Sequence, residues 1–234
     1  MEAQLVTLQK TLALSRVKLI KNCITKRYKY EHDNIDEITP PITKFTVENR
    51  DAIEVALEMQ NPLVMILADA HVPGGCIFGG ANMQEESLFR RTALFAYLRK
   101  DDHYPIAIDE ALYAKDVQVF FDTEDRAFAP LTNKYLSFIA CPGIKMPSLD
   151  NYGRMFSDDV ETLTKKIQLI VQVAVKEGHT HIVAGALGCG VWDCPASHVA
   201  EIFRNVLINS PLVQVKFAIL GSLRHAFSKV LTAE

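Results

Sequence analysis

The sequence of 234 residues predicts an α/β fold with a mixed, mostly parallel sheet and helices on both faces. Three observations carry this. Residues 63–68, Leu-Val-Met-Ile-Leu-Ala, form a continuous apolar run of the kind a strand buried on both faces needs. Residues 181–184, His-Ile-Val-Ala, form a second such run. Each feeds a glycine-rich loop followed by a helical pattern, and such strand and helix patterns alternate along the chain.

The elements are expected in this order. Residues 2–22 read as a helix, with Leu5, Leu8, Leu12 and Leu19 at helical spacing. A polar, tyrosine-bearing stretch follows to Ile38, and Thr39-Pro40-Pro41 breaks the chain. Residues 44–48 alternate as a short strand, and Asn49 or Asp51 can cap a helix to Met59. After the 63–68 strand and its loop, one helix is expected over 84–100. Strands follow at 111–121 and 135–141. Ser157 or Asp158 can cap a helix over 159–176 that ends at Gly178. Beyond the 181–184 strand, Pro195 opens a helix to about 209, then a strand spans 213–220 and a helix 222–231.

Composition narrows the function classes. A net charge of −3 argues against a dedicated nucleic-acid binder. The cluster Lys18, Lys21, Lys26, Arg27, Lys29 reads as a solvated face. Five cysteines, odd in number and without a C-x-x-C, fit neither a disulfide framework nor a zinc knuckle, and point to reduced thiols in an intracellular setting. No apolar run is long enough to span a bilayer, and no signal peptide is visible. His179 and His181 lack a third spaced ligand, so no metal site and no cofactor are expected.

The chemistry concentrates in two loops. The first, 73–91, runs Pro-Gly-Gly-Cys-Ile-Phe-Gly-Gly-Ala-Asn-Met-Gln-Glu-Glu-Ser-Leu-Phe-Arg-Arg. Glycines let backbone N–H groups approach a ligand, and the helix start adds unpaired donors beside two adjacent carboxylates. The second loop, Gly185-Ala186-Leu187-Gly188-Cys189-Gly190-Val191-Trp192, spaces its glycines as G-x-x-G-x-G. That is neither a dinucleotide fingerprint nor a P-loop, but a row of backbone N–H groups before a helix suits a diphosphate.

These residues resemble the microbial-type poly(ADP-ribose) glycohydrolases, macrodomain-fold enzymes marked by a glycine triplet and, several residues on, Gln-Glu-Glu. Gln84-Glu85-Glu86 stands in that place, 112–120 resembles the family's Tyr-Ser-Pro-x-Val-x-Val-Phe segment, and 185–192 its phosphate loop. The resemblance covers nearly the whole chain. It implies a three-layer macrodomain-like fold over 1–234, with 1–43 as an N-terminal helical extension. It also implies cleavage of the ribose glycosidic bond of poly(ADP-ribose) or ADP-ribosylated targets, releasing ADP-ribose. Glu86 would protonate the leaving oxygen and then activate water, and Glu85 would hold ribose hydroxyls. Gly74, Gly75, Cys76 and Gln84 would bind substrate together with Gly185 to Trp192. The partners implied are ADP-ribose or the polymer on modified macromolecules, with no membrane and no sequence-specific nucleic acid.

Two departures bear on this. Val72 and Cys76 stand where the family has asparagine and the third glycine. They predict a slower enzyme, with strain at Cys76 if its φ is positive. An ADP-ribose reader with little turnover is the alternative, and a structural α/β domain without a ligand the third reading. Adjacent glutamates on a helix diverge and cannot form the facing pair of most glycosidases. One must transfer the proton while the other does something else. Burial has to raise the acid's pKa against the helix N-terminus.

Overall fold

The computed structural model describes residues 2–17, 23–32, 43–99 and 102–232. A seven-stranded sheet runs in the order β1-β4-β5-β3-β6-β7-β2. Its strands are β1 (Ile24–Lys29), β2 (Lys44–Glu48), β3 (Pro62–Ala68), β4 (Glu110–Phe121), β5 (Pro130–Pro142), β6 (His181–Ala184) and β7 (Gln214–Ala218). From β5 to β2 every pairing is parallel, while β4 is antiparallel to both β1 and β5.

The alternation of β3 builds both cores. Leu63 and Met65 face a cluster with α5 (Ser157–Lys176), α6 (Ala196–Leu207) and α7 (Leu223–Leu231). Val64 and Ile66 face a second cluster with α1 (Glu2–Val17), α2 (Ala52–Leu57), α3 (Gln84–Arg91) and α4 (Leu94–Leu98). A run without polar residues is what a strand between two helical layers requires. The three-layer arrangement is as expected.

Several boundaries differ from the sequence reading. The polar stretch after α1 contains β1, an edge strand whose register on β4 runs from Ile24 opposite Lys115 to Lys29 opposite Glu110. The helix expected over 84–100 is two helices, because Thr92 is extended at φ −133° and ψ 171°. Thr92 bridges Val119, its hydroxyl donates to the Leu88 carbonyl at 2.9 Å, and the Ala93 N–H donates to the Gln118 carbonyl at 2.9 Å. A β-branched residue with a local hydroxyl bond leaves the helix at little cost. Phe156, not Ser157 or Asp158, stands at the N-cap of α5. In α1 the buried stripe is Thr7, Leu8 and Thr11, while Leu5 is exposed. Leu19, Lys18, Lys21 and the Thr39-Pro40-Pro41 break lie outside the described residues. Lys26, Arg27 and Lys29 pair with Glu177, Glu110 and Asp109, so that face is balanced charge.

Other elements follow their local chemistry. Asp51 caps α2, accepting from the N–H groups of Ile53 at 2.8 Å and Glu54 at 3.3 Å. Gly178, at φ 78°, ends α5 with its N–H on the Val175 carbonyl and that of His179 on the Ala174 carbonyl.

Asp51 does a second job. Its other oxygen accepts from Arg91 at 2.6 Å, and Arg91 is 1% exposed. Removing one partner of a buried pair strands the other charge. Asp51→Ala should therefore cost about 3–5 kcal/mol, cap included. A urea unfolding curve within about 1 kcal/mol of wild type would show that Arg91 is held by something else.

Candidate active site

The site lies beyond the carboxyl ends of β3, β5 and β6, where open α/β sheets bind ligands. The first loop leaves β3 through an Asx turn, with Asp69 Oδ1 accepting from the N–H groups of His71 at 2.7 Å and Val72 at 2.8 Å. Gly74 and Gly75 follow at φ 80° and 56°, a left-handed pair that a side chain would oppose. This turn aims the loop's amides back at α3.

The amides meet the two glutamates. Glu85 accepts from the Gly74 N–H at 3.0 Å through Oε1 and from the Asp69 N–H at 2.8 Å through Oε2. Glu86 accepts from the Cys76 N–H at 3.0 Å and the Met83 N–H at 3.2 Å. The last bond is the N3 half of a capping box, since Met83 offers no oxygen for the other half. Both carboxyls are buried. They converge on Gly75, where a Cβ would sit 2.6 Å from Glu86 Oε1 and 3.2 Å from Glu85 Oε2. The loop's N–H groups at 74 and 76 thus hold the carboxyls instead of facing a ligand, contrary to the sequence reading.

Three further residues fix this unit. Gln84 donates through Nε2 to the Met65 carbonyl at 2.7 Å and accepts from the Leu67 N–H at 3.0 Å. The structure places it as a tie between α3 and β3. Arg90, 2% exposed, donates to Asn82 Oδ1 at 2.7 Å and the Ala81 carbonyl at 3.0 Å, bracing the end of the loop. Above it, Thr11 of α1 donates to the Arg90 carbonyl at 2.5 Å.

Burial is the largest influence on Glu85. It pushes the carboxyl up to about 8, against the lowering effect of the two amide bonds and with help from the charges of Glu86 and Asp69. Burial thus favours the protonated form of Glu85 in the free protein.

The second loop joins β6 to α6. Ala186, Leu187 and Cys189 turn their side chains into the core, and the chain reaches the surface at Gly190 and Val191. The N–H groups of Gly188, Gly190, Val191 and Trp192 have no acceptor among the described residues. Three in succession, those of Gly190, Val191 and Trp192, offer a run of donors suited to an anion. Gly188, at φ 76°, lies where a Cβ would strike Cys194 Sγ at 2.7 Å. The two loops adjoin: a Cβ on Gly190 would lie 3.6 Å from the Met83 methyl, and one on Gly185 3.2 Å from Leu67. Trp192 packs beside Gly143, and its carbonyl accepts from the Met146 N–H at 2.9 Å.

Some expectations change. Cys76 is exposed at φ −95°, so its side chain carries no left-handed strain. Val72 is exposed as well. Phe120 and Phe121 are buried in the cluster that also holds Ile77 of the first loop. His179 bonds Tyr113 at 3.0 Å and the Asn61 carbonyl at 2.9 Å, a structural role.

A mixed, mostly parallel sheet between two helical layers, with two buried carboxyls where the loops after β3 and β6 adjoin, defines a macrodomain-like α/β domain. Residues 6–122 match the family described as microbial-type PARG, catalytic domain, and the chain belongs to that family. Solved structures agree on the fold. Poly(ADP-ribose) glycohydrolase from Thermomonospora curvata, bound to the inhibitor ADP-HPD, superposes with a TM-score of 0.80 at 20% identity, covering 98% of this chain and 99% of that one. The enzyme from Deinococcus radiodurans in complex with ADP-ribose gives a TM-score of 0.69 at 25% identity, over 81% and 84% of the two chains. No curated protein matches in sequence. No described helix is long and apolar enough to cross a membrane.

The Glu85 shift has a sign that can be tested. Between about 4.5, its unfolded value, and about 8, the folded protein holds a proton that the unfolded chain has lost. Stability should therefore fall as pH rises through that window, by up to about 1.4 kcal/mol per pH unit from this group. Denaturant unfolding of wild type and Glu85→Gln at pH 5, 6, 7 and 8 should show the extra slope in wild type alone. Parallel curves would place the Glu85 carboxyl in a more solvated setting.

Proposed function

We propose that this chain hydrolyses the ribose glycosidic bond of poly(ADP-ribose), or of ADP-ribose attached to another target, and releases ADP-ribose. The observation that carries the reading is the convergence of two buried carboxyls on Gly75 beside a free amide row in the adjoining loop. The amide row of Gly190, Val191 and Trp192 would take the diphosphate, and Trp192 would offer an aromatic face nearby. The terminal ribose would then lie against Gly74 and Gly75, over the carboxyls.

Glu86 is assigned the proton transfer. It is bonded at the mouth of the loop, between Cys76 and Met83, both exposed. Protonated, it would donate to the leaving ribose oxygen as the glycosidic bond breaks. As a carboxylate it would then take a proton from the attacking water. Glu85, fixed by the amides of Asp69 and Gly74, would orient ribose hydroxyls. One consideration favours exchanging these roles: burial raises the Glu85 carboxyl toward the range in which a general acid starts protonated. Turnover is the point on which this reading departs from a reader of ADP-ribose.

Single glutamine variants separate the assignments. Glu86→Gln should lower the release of ADP-ribose from the polymer by about 10²–10⁴-fold while ADP-ribose still binds by calorimetry. Glu85→Gln should weaken binding as well as rate. The opposite pattern would move the acid to Glu85, and binding without release by wild type would make the protein a reader.

The loop supplies an independent check. Gly75→Ala would place a methyl against Glu86 at a left-handed φ. It should cost about 1 kcal/mol of stability or more and most of the activity. Full activity in this variant would show that Glu86 need not be held by the loop.

A further inference from the structure

The Tyr104 hydroxyl is sealed from solvent and has no hydrogen-bond partner among the described residues. Buried hydroxyls are nearly always paired, and an exception asks for a reason. This one is held in place by bonds from two directions. Arg27 of β1 donates to the carbonyls of Asp102 at 2.6 Å, His103 at 2.8 Å and Pro105 at 3.4 Å, and pairs with Glu110. On the other side the Ile106 N–H donates to the Ala70 carbonyl at 2.8 Å. The strap carrying Tyr104 is thus fastened to the sheet edge and to the exit of β3. Its second fastening is one residue from Asp69, whose own N–H holds Glu85.

The carboxyls that act on the Tyr104 hydroxyl are those of Glu85 and Asp69. Burial above all, then those charges, hold its proton far above the ordinary phenol range, so it is a neutral donor. Oδ1 of Asp69 is already taken by two amides. Each oxygen of Glu85 accepts one amide bond and has capacity for another.

We propose that Tyr104 is a positioning residue for the reaction, its hydroxyl donating to the Glu85 carboxylate when the site closes on ADP-ribose. This rests on the reading of Glu85 as the group that handles the ribose. Rotation of the Tyr104 side chain on this fixed strap would bring the donor, and the third hydrogen bond would stabilise the ionised carboxylate in the orientation that accepts from ribose hydroxyls. Around Glu85 stand the amides of Asp69 and Gly74 that bond it, Glu86 of its own helix converging with it on Gly75, and Asp69 of the β3 exit, while the strap carrying Tyr104 is fastened at Ala70, next to Asp69. Only Tyr104 is an unengaged donor among them.

Tyr104→Phe tests this. ADP-ribose affinity is measured by calorimetry from pH 6 to 9.5, beside the thermal midpoint and the rate of ADP-ribose release. The midpoint should stay the same or rise, because the hydroxyl removed had no partner. Affinity should fall about tenfold, within the range for a lost bond to a charged group. The pH at which affinity changes should move upward, because the ionised carboxylate has lost a donor. Affinity within twofold of wild type and an unmoved pH midpoint would overturn the proposal. A fluorine label on the Tyr104 ring serves if Tyr104→Phe does not fold. Its resonance should shift on adding ADP-ribose to the wild-type background and not in Glu85→Gln, and indifference to ADP-ribose in both would overturn the proposal. If no sample releases ADP-ribose while the pH-dependent binding responds to Tyr104→Phe, the hydrolase reading fails and the coupling of Tyr104 to Glu85 stands.

Discussion

Two adjacent carboxyls cannot be buried at a helix start unless something else takes their lone pairs. Here four backbone amides do so, those of Asp69, Gly74, Cys76 and Met83. Much of the site's architecture serves that requirement. The left-handed pair Gly74-Gly75 turns the amides inward, and the Asx turn at Asp69 starts the loop at the right angle. Gln84 fixes the helix start to β3, Arg90 fixes the loop's far end, and Thr11 closes over Arg90. Remove the amides and each carboxyl would have to protonate or leave the interior.

The two glutamates are neighbours in sequence but occupy different settings. Glu85 is bonded at the β3 exit and Glu86 at the rim, so one loop can give two carboxyls separate roles. Burial outweighs amide bonding at Glu85. A site that keeps a proton on a carboxyl near neutrality is equipped for acid chemistry, whichever of the pair performs it.

The layers, the two loops and the carboxyl pair were legible because strong local signals wrote them. An unbroken apolar β3 has no place except between two helical layers, and glycines at 74, 75 and 188 mark turns that other residues resist. The misses had weak or non-local causes. β1 reads Ile-Thr-Lys-Arg-Tyr-Lys, an edge strand with one face in water, and its place is decided by pairing with β4. The break at Thr92 depends on a bridge to Val119, which no window around Thr92 contains. Strain at Cys76 was inferred from a family position, and the backbone there simply does not take a positive φ. Tyr104 carries no local signal, since its meaning comes from a strap that reaches the β3 exit.

Arg27 lies on the outermost strand of the sheet, yet its guanidinium holds the strap that is fastened at Ala70, next to Asp69 and its bond to Glu85. The edge of the sheet and the chemistry are therefore mechanically one part. A change that frays β1, far from any substrate atom, would slacken the wall beside Glu85 before it unfolded the core. Damage at this margin would be read first as lost specificity or rate, with the bulk of the molecule still intact.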